Sequence, residues 1–332
     1  MRLLWPVLVA LLCAACGSGL TGDRYAIQDL ALSPDGHLLA VRFIDQEKKR
    51  GGLGLYDWAH GKFTPIANQA AGKSFTDPSF SPDGTRLVAV SANQLVLVAL
   101  DTLQVTQVTE GGQGFKQAPV FRPDGKAILF VATNPARLLL LDLESGQEST
   151  VLDWREGFGT ISRPYFGGPD RIIFLASAPR DKEIWEQANQ FPDARPETDL
   201  HVYGLKFGAK PELILKNLWT LGKQKSRWFT GEHNMQASQD AKRIVFFDFA
   251  DPDLGAERNV DQELFLIETG GLKQLTHLHS SVIAAAISYD GSTVAFGADL
   301  SHSARYDLRL LDLASGQSRS VGLLRDIRSA EP

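Results

Sequence analysis

Short apolar runs alternate with polar turn signals along almost the whole chain. In ALSPDGHLLAV, residues 31–41, Ser33-Pro34-Asp35-Gly36 separates two such runs. Proline presets φ at the first central position of a type I turn, aspartate tolerates the second, and glycine accepts positive φ at the exit. The flanking residues are β-capable, so the segment predicts strand, turn, strand.

The pattern recurs as SFSPDGTRLVAV (79–90), VFRPDGKAILFV (120–131) and AISYDGSTVAFG (286–297). Two weaker copies, YFGGPDRIIFLA (165–176) and QASQDAKRIVFF (236–247), fill the gaps. The six turns begin at Ser33, Ser81, Arg122, Gly167, Ser238 and Ser288, separated by 48, 41, 45, 71 and 50 residues. A four-stranded propeller blade repeats every ~40 to 50 residues, so only the longest gap calls for a large insertion. Each copy is followed by an apolar strand, a short turn and a more polar strand, as in RLLLLDLESGQESTVL (137–152) and DLRLLDLASGQSRSVG (307–322). Six units of four strands predict an all-β chain, a six-bladed β-propeller of four-stranded antiparallel blades. Each copy supplies its own four strands, so the ring is expected to close without a strand borrowed from the N-terminus.

These repeats resemble the WD40-like repeats of the TolB propeller family, in which an aromatic-Ser-Pro-Asp-Gly turn joins the first two strands of each blade. The likeness covers roughly residues 28–322. Phe80, Phe121 and Phe166 keep the aromatic, while Leu32, Ala237 and Ile287 replace it. The extra N-terminal α/β domain of TolB is expected to be missing. The resemblance implies binding of peptide segments at the tunnel mouth.

The N-terminus changes the picture of location. MRLLWPVLVALLCAA has one basic residue, an apolar run from Leu3 to Leu12 and then small residues, the layout of a secretory signal. The run is too short for a spanning helix, which needs roughly 20 apolar residues. Cys13-Ala14-Ala15-Cys16 resembles the lipobox of bacterial lipoproteins, which implies lipidation of Cys16. The expected organisation is signal peptide 1–15, lipid anchor and linker 16–27, propeller 28–322 and tail 323–332. Such a protein is periplasmic and held to a membrane, the outer one, only by its N-terminal lipid.

Composition and charge mostly exclude. Of the 332 residues, 43% are hydrophobic, enough for a large core. A formal net charge of −5 disfavours nucleic acid as a partner. No cysteine follows Cys16, so the mature body has neither a disulfide nor a thiol nucleophile. There is no G-x-S-x-G nucleophile elbow. The turns read S-P-D-G, and not the S-x-D-x-G of sialidase Asp boxes. No cofactor is called for. His277 and His279, with Gln274 just before them, form the one weak metal candidate, because alternate strand residues share a face. The Gly-rich EGGQGFK (110–116) lacks a strand-to-helix context and reads as a loop.

With the S-P-D-G turns on one face, most irregular sequence falls on the other, including long loops at 178–198 and 217–233. These carry Trp185, Phe191, Trp219, Lys225, Arg227 and Trp228, a composition typical of interaction hot spots. Residues four or five before each turn border the central tunnel: Asp29, Asp77, Gln117, Arg163, His233 and Asn234 are the candidates there. The expectation is a monomeric, non-enzymatic propeller that binds an envelope protein or peptide through the loop face. The alternative is a carbohydrate-active or metal-dependent enzyme, or a glycan binder, using the tunnel.

Overall fold

A computed structural model describes residues 25–45, 50–67, 74–112, 114–133, 135–158, 160–177, 200–215, 235–249, 262–268, 271–300 and 307–323. The leader with Cys16 lies outside them, as do loops 178–198 and 217–233 with Trp185, Phe191, Trp219, Lys225, Arg227 and Trp228, and so do His233 and Asn234.

Among the described residues, strands fall into six consecutive sets of four, spanning residues 25–66, 75–107, 116–153, 161–215, 236–274 and 281–323. Within each set, strands adjacent in sequence pair antiparallel. The last two sets join through one parallel pair, Gln262 with Ser281, into an eight-stranded sheet. The first strands of the sets adjoin one another in chain order, and Ser281–Ile287 returns to adjoin Tyr25–Leu32. The ring therefore closes by packing between sets, each built from its own strands.

Second strands carry the apolar runs because sheets cover both of their faces. Ala127–Ala132, AILFVA, is buried at every position, as expected for a strand without a solvent side. The outermost strands are polar, as in Glu148–Asp153. Core clusters lie between neighbouring sheets: Leu30, Leu39 and Val41 pack with Ala284, Ala286 and Ala295 across the closing seam. There the Tyr56 hydroxyl donates to the Val321 carbonyl at 2.6 Å.

The repeated turn is a local hydrogen-bonding device. In Ser81-Pro82-Asp83-Gly84 the serine hydroxyl donates to Asp83 at 2.6 Å and accepts from the Arg86 N–H at 2.9 Å. Asp83 also accepts from the Thr85 N–H at 3.0 Å. The Ser238 and Ser288 copies repeat the serine–aspartate bond, and in the third copy an Arg122–Asp124 ion pair replaces it. These bonds account for the Ser and Asp, and a φ of 68° accounts for Gly84. The fifth copy has no glycine, and Ala241 is held at φ 49° in the same place.

Candidate functional site

The site grows out of an irregularity in the first strands. Pairing skips two residues at Asp77-Pro78, Ala118-Pro119 and Arg163-Pro164. The residue before each proline takes φ of 51°, 46° and 44°. Proline bars its neighbour from the right-handed helical region and has no N–H to lose from the ladder, so a bulge is the natural place for the dipeptide. The bulge re-aims its residues inward.

Side chains then reach across to other sets around the tunnel. Arg163 of the fourth set contacts Asp77 of the second, Nη2 to Oδ1 at 3.3 Å. Tyr165 donates its hydroxyl to the Met235 carbonyl, and Gln236 of the fifth set donates to the Leu30 carbonyl of the first. Asp77 and Arg163 line two openings at once. One, of about 110 Å³, lies on the turn face among Phe80, Phe121, Phe166 and the turn prolines. The other, of about 460 Å³, opens on the opposite face among Gln28, Asp29, Arg42, Asn93, Lys116 and Gln117. The ion pair is thus a partition between two mouths of the tunnel.

Electrostatics at the partition are set by burial. Asp29 is 8% exposed, and its Oδ1 accepts from the Leu30 N–H at 2.9 Å. Desolvation pushes its pKa up to about 7; Arg163 and Arg42 pull the other way, while Asp77 adds to the rise. For Arg163, burial works against the charge, yet Asp77, Tyr165 and Asp29 outweigh it and hold the group above the ordinary arginine value. Burial likewise raises the Tyr165 phenol, which stays a neutral donor.

The wider mouth has a built rim. Ala92 and Asn93, at φ 50° and 66°, form the two-residue turn between Arg86–Ser91 and Gln94–Ala99, a conformation that asparagine tolerates well. Asn93 donates to the Gly114 carbonyl at 2.8 Å and accepts from the Lys116 N–H at 2.8 Å, tying the Gly-rich segment to the cleft. Lys116 is 5% exposed, and its ammonium donates to the Gly111 carbonyl at 2.8 Å. Its neighbour Phe115 is 61% exposed at the same rim.

Asp29, Asp77, Gln117 and Arg163 thus line one cleft. Sequence reasoning missed Tyr165, Gln236, Arg42, Asn93, Phe115 and Lys116. A signal for the bulges was present: Pro78, Pro119 and Pro164 each stand two residues before the repeat's aromatic.

His277 and His279 are exposed. Gln274 donates to the Thr276 carbonyl at 2.7 Å and lies 3.1 Å from His277 Nδ1. Gln107 makes the same bond to the Thr109 carbonyl in the second set, where no histidine follows, so this glutamine bond belongs to the repeat. The His279 N–H donates to the buried Glu263 carboxylate at 2.8 Å, which also accepts from Thr276 at 2.5 Å. Among the described residues no group of three or more His, Cys, Asp or Glu is placed to hold a metal ion. No described helix is long and apolar enough to cross a membrane.

No family model and no curated protein match the chain. Solved structures do. TolB from Acinetobacter baumannii is 16% identical with a TM-score of 0.56, over 95% of this chain and 82% of that one. A putative TolB from Agrobacterium tumefaciens is 12% identical with a TM-score of 0.57, over 82% and 89%. An oligogalacturonate lyase in complex with manganese is 15% identical with a TM-score of 0.52, over 90% and 78%. Identities this low speak to the fold alone, and in fold the chain is a TolB-like β-propeller.

Proposed function

We propose that the protein is a non-enzymatic binding module of the cell envelope, a six-bladed propeller anchored through a lipid on Cys16 and facing the periplasm from the outer membrane. It takes a protein or peptide segment at the wider tunnel mouth, with loops 178–198 and 217–233, which the sequence assigns to the same face, completing the surface. The supporting observation is the pairing of an exposed aromatic, Phe115, with a polar cleft whose floor is the Asp29–Asp77–Arg163 cluster. An aromatic anchor beside convergent polar groups is the usual composition of a peptide hot spot.

Affinity purification from envelope extract tests this reading. Wild-type protein is expected to retain a defined partner, and Phe115→Ala or deletion of residues 180–196 to lose it while keeping the β-rich circular dichroism spectrum. Equal recovery by all three refutes the assignment of the surface.

The likeness to a manganese-bound lyase supplies the second reading, a metal-dependent enzyme or glycan binder. Metal analysis of the purified protein separates the two: stoichiometric metal that disappears in a His277→Ala, His279→Ala double variant would favour the second.

A further inference from the structure

The lining of the wider mouth brings together three cations, Arg42, Lys116 and Arg163, and two carboxylates, Asp29 and Asp77. Asp77 is committed to Arg163 across the tunnel. Burial keeps the Asp29 proton on into the neutral range, which removes much of the second negative charge. Lys116 is a buried ammonium whose one side-chain bond among the described residues is to a neutral carbonyl, that of Gly111. Arg42 uses Nε on the Phe75 carbonyl at 2.9 Å, and its terminal nitrogens make no hydrogen bond among the described residues. A buried cation without a counter-charge is unfavourable unless an anion completes it. Lys116 is such a cation, and the half-buried Arg42, whose charge also acts on Asp29, lines the same cleft.

We propose that this cleft binds a carboxylate of the peptide it receives, held between Lys116 and Arg42 with Phe115 packing on the adjoining residue. The inference rests on the peptide-binding reading above and narrows it to an acidic segment or a free C-terminus. Both sources offer the same planar, two-oxygen acceptor, which suits arginine in a bidentate contact and lysine as a point charge.

Isothermal titration at low ionic strength with three capped probes tests it: Ac-Glu-Glu-Glu-NH2, Ac-Gln-Gln-Gln-OH and Ac-Gln-Gln-Gln-NH2. The first identifies a side-chain carboxylate, the second a terminal one, and the third is the neutral control. At least one charged probe is expected to bind about ten-fold more tightly than the control, and Arg42→Gln to abolish about that difference. Lys116→Met is expected to do the same, and because Lys116 is buried, Arg42→Gln keeps the test decisive should that variant misfold. Equal binding of all three probes overturns the inference, as does binding indifferent to both substitutions, or binding of a three-residue oligouronide and no peptide. Capture from envelope extract separates the two levels: a partner retained equally by wild type and Arg42→Gln sinks the carboxylate but not the peptide module. Probe binding without any captured partner sinks the module and leaves the anion site.

Discussion

Replacing Asp29 by asparagine should make the protein more stable at pH 8 and change little at pH 4. Asparagine keeps an oxygen to accept the Leu30 N–H, now at 2.9 Å, and removes only the ionisation. The folded protein raises the Asp29 pKa from 3.8 to about 7, chiefly by desolvation. Between those values the folded state holds a proton that the unfolded chain has released. The contribution of this group is therefore fully present below pH 3.8 and is lost as pH rises through about 7. Complete linkage over that range corresponds to roughly 4 kcal/mol, at about 1.4 kcal/mol per pH unit. Relaxation and water entry from the cleft reduce it, so about 2 kcal/mol is the working figure. For a domain of this size that is about 4 °C in Tm. Thermal melts of both proteins across pH 4 to 8 should therefore diverge by about that amount, with the variant higher at the alkaline end. Parallel curves would show that Asp29 titrates normally and that the partition is not a desolvated cluster.

The turn aspartates move stability in the opposite sense and in a lower window. Asp83 is held at about 2, first by the Ser81 hydroxyl, and Asp124 and Asp290 are lowered by Arg122 and Ser288 respectively. Their contribution is present above pH 3.8 and lost as pH falls through their folded values. Asp83→Asn should cost about 1 kcal/mol at pH 7, a figure discounted for solvent exposure, and should flatten the acid limb of the stability curve. Phe174→Ala, which removes a fully buried ring stacked on Tyr203, should cost about 3 to 5 kcal/mol in chemical denaturation. Glu263→Ala should cost about 3 kcal/mol by leaving the buried Thr276 hydroxyl and the His279 N–H without their acceptor, while His277→Ala, at an exposed position, should stay within about 0.5 kcal/mol. Cys16→Ser should abolish incorporation of labelled palmitate and release the protein from membranes.

The blades were legible because their turns are locally determined. Proline, aspartate and glycine each answer a backbone requirement within four residues, so the copies at Ser33 and Ser81, and the one at Ser288 that keeps the aspartate and glycine, speak for themselves. Even the degraded Ser238 copy survives, since Ser238 and Asp240 keep the bond that ties the turn. The tunnel was legible only by register. Counting back from each turn finds Asp29, Asp77, Gln117 and Arg163, because the repeat puts equivalent positions on equivalent strands. Arg42 and Asn93 escape that count, since they come from second strands and their connections, and they reach the cleft only when neighbouring sets pack. Phe115 and Lys116 lie in and beside a Gly-rich stretch whose path is set by Asn93, a partner more than twenty residues away. No local pattern announces such a bond. Left-handed Asp77, Ala118 and Arg163 likewise look ordinary until the prolines after them are aligned.

Site-specific photo-crosslinking in cells tests the central claim most directly. A benzoylphenylalanine at position 115 sits on the rim of the wider mouth, and one at position 85 sits in an exposed turn on the opposite face. The account predicts a discrete envelope-protein adduct from position 115 and none from position 85. An adduct only from position 85, or none from position 115, would contradict it.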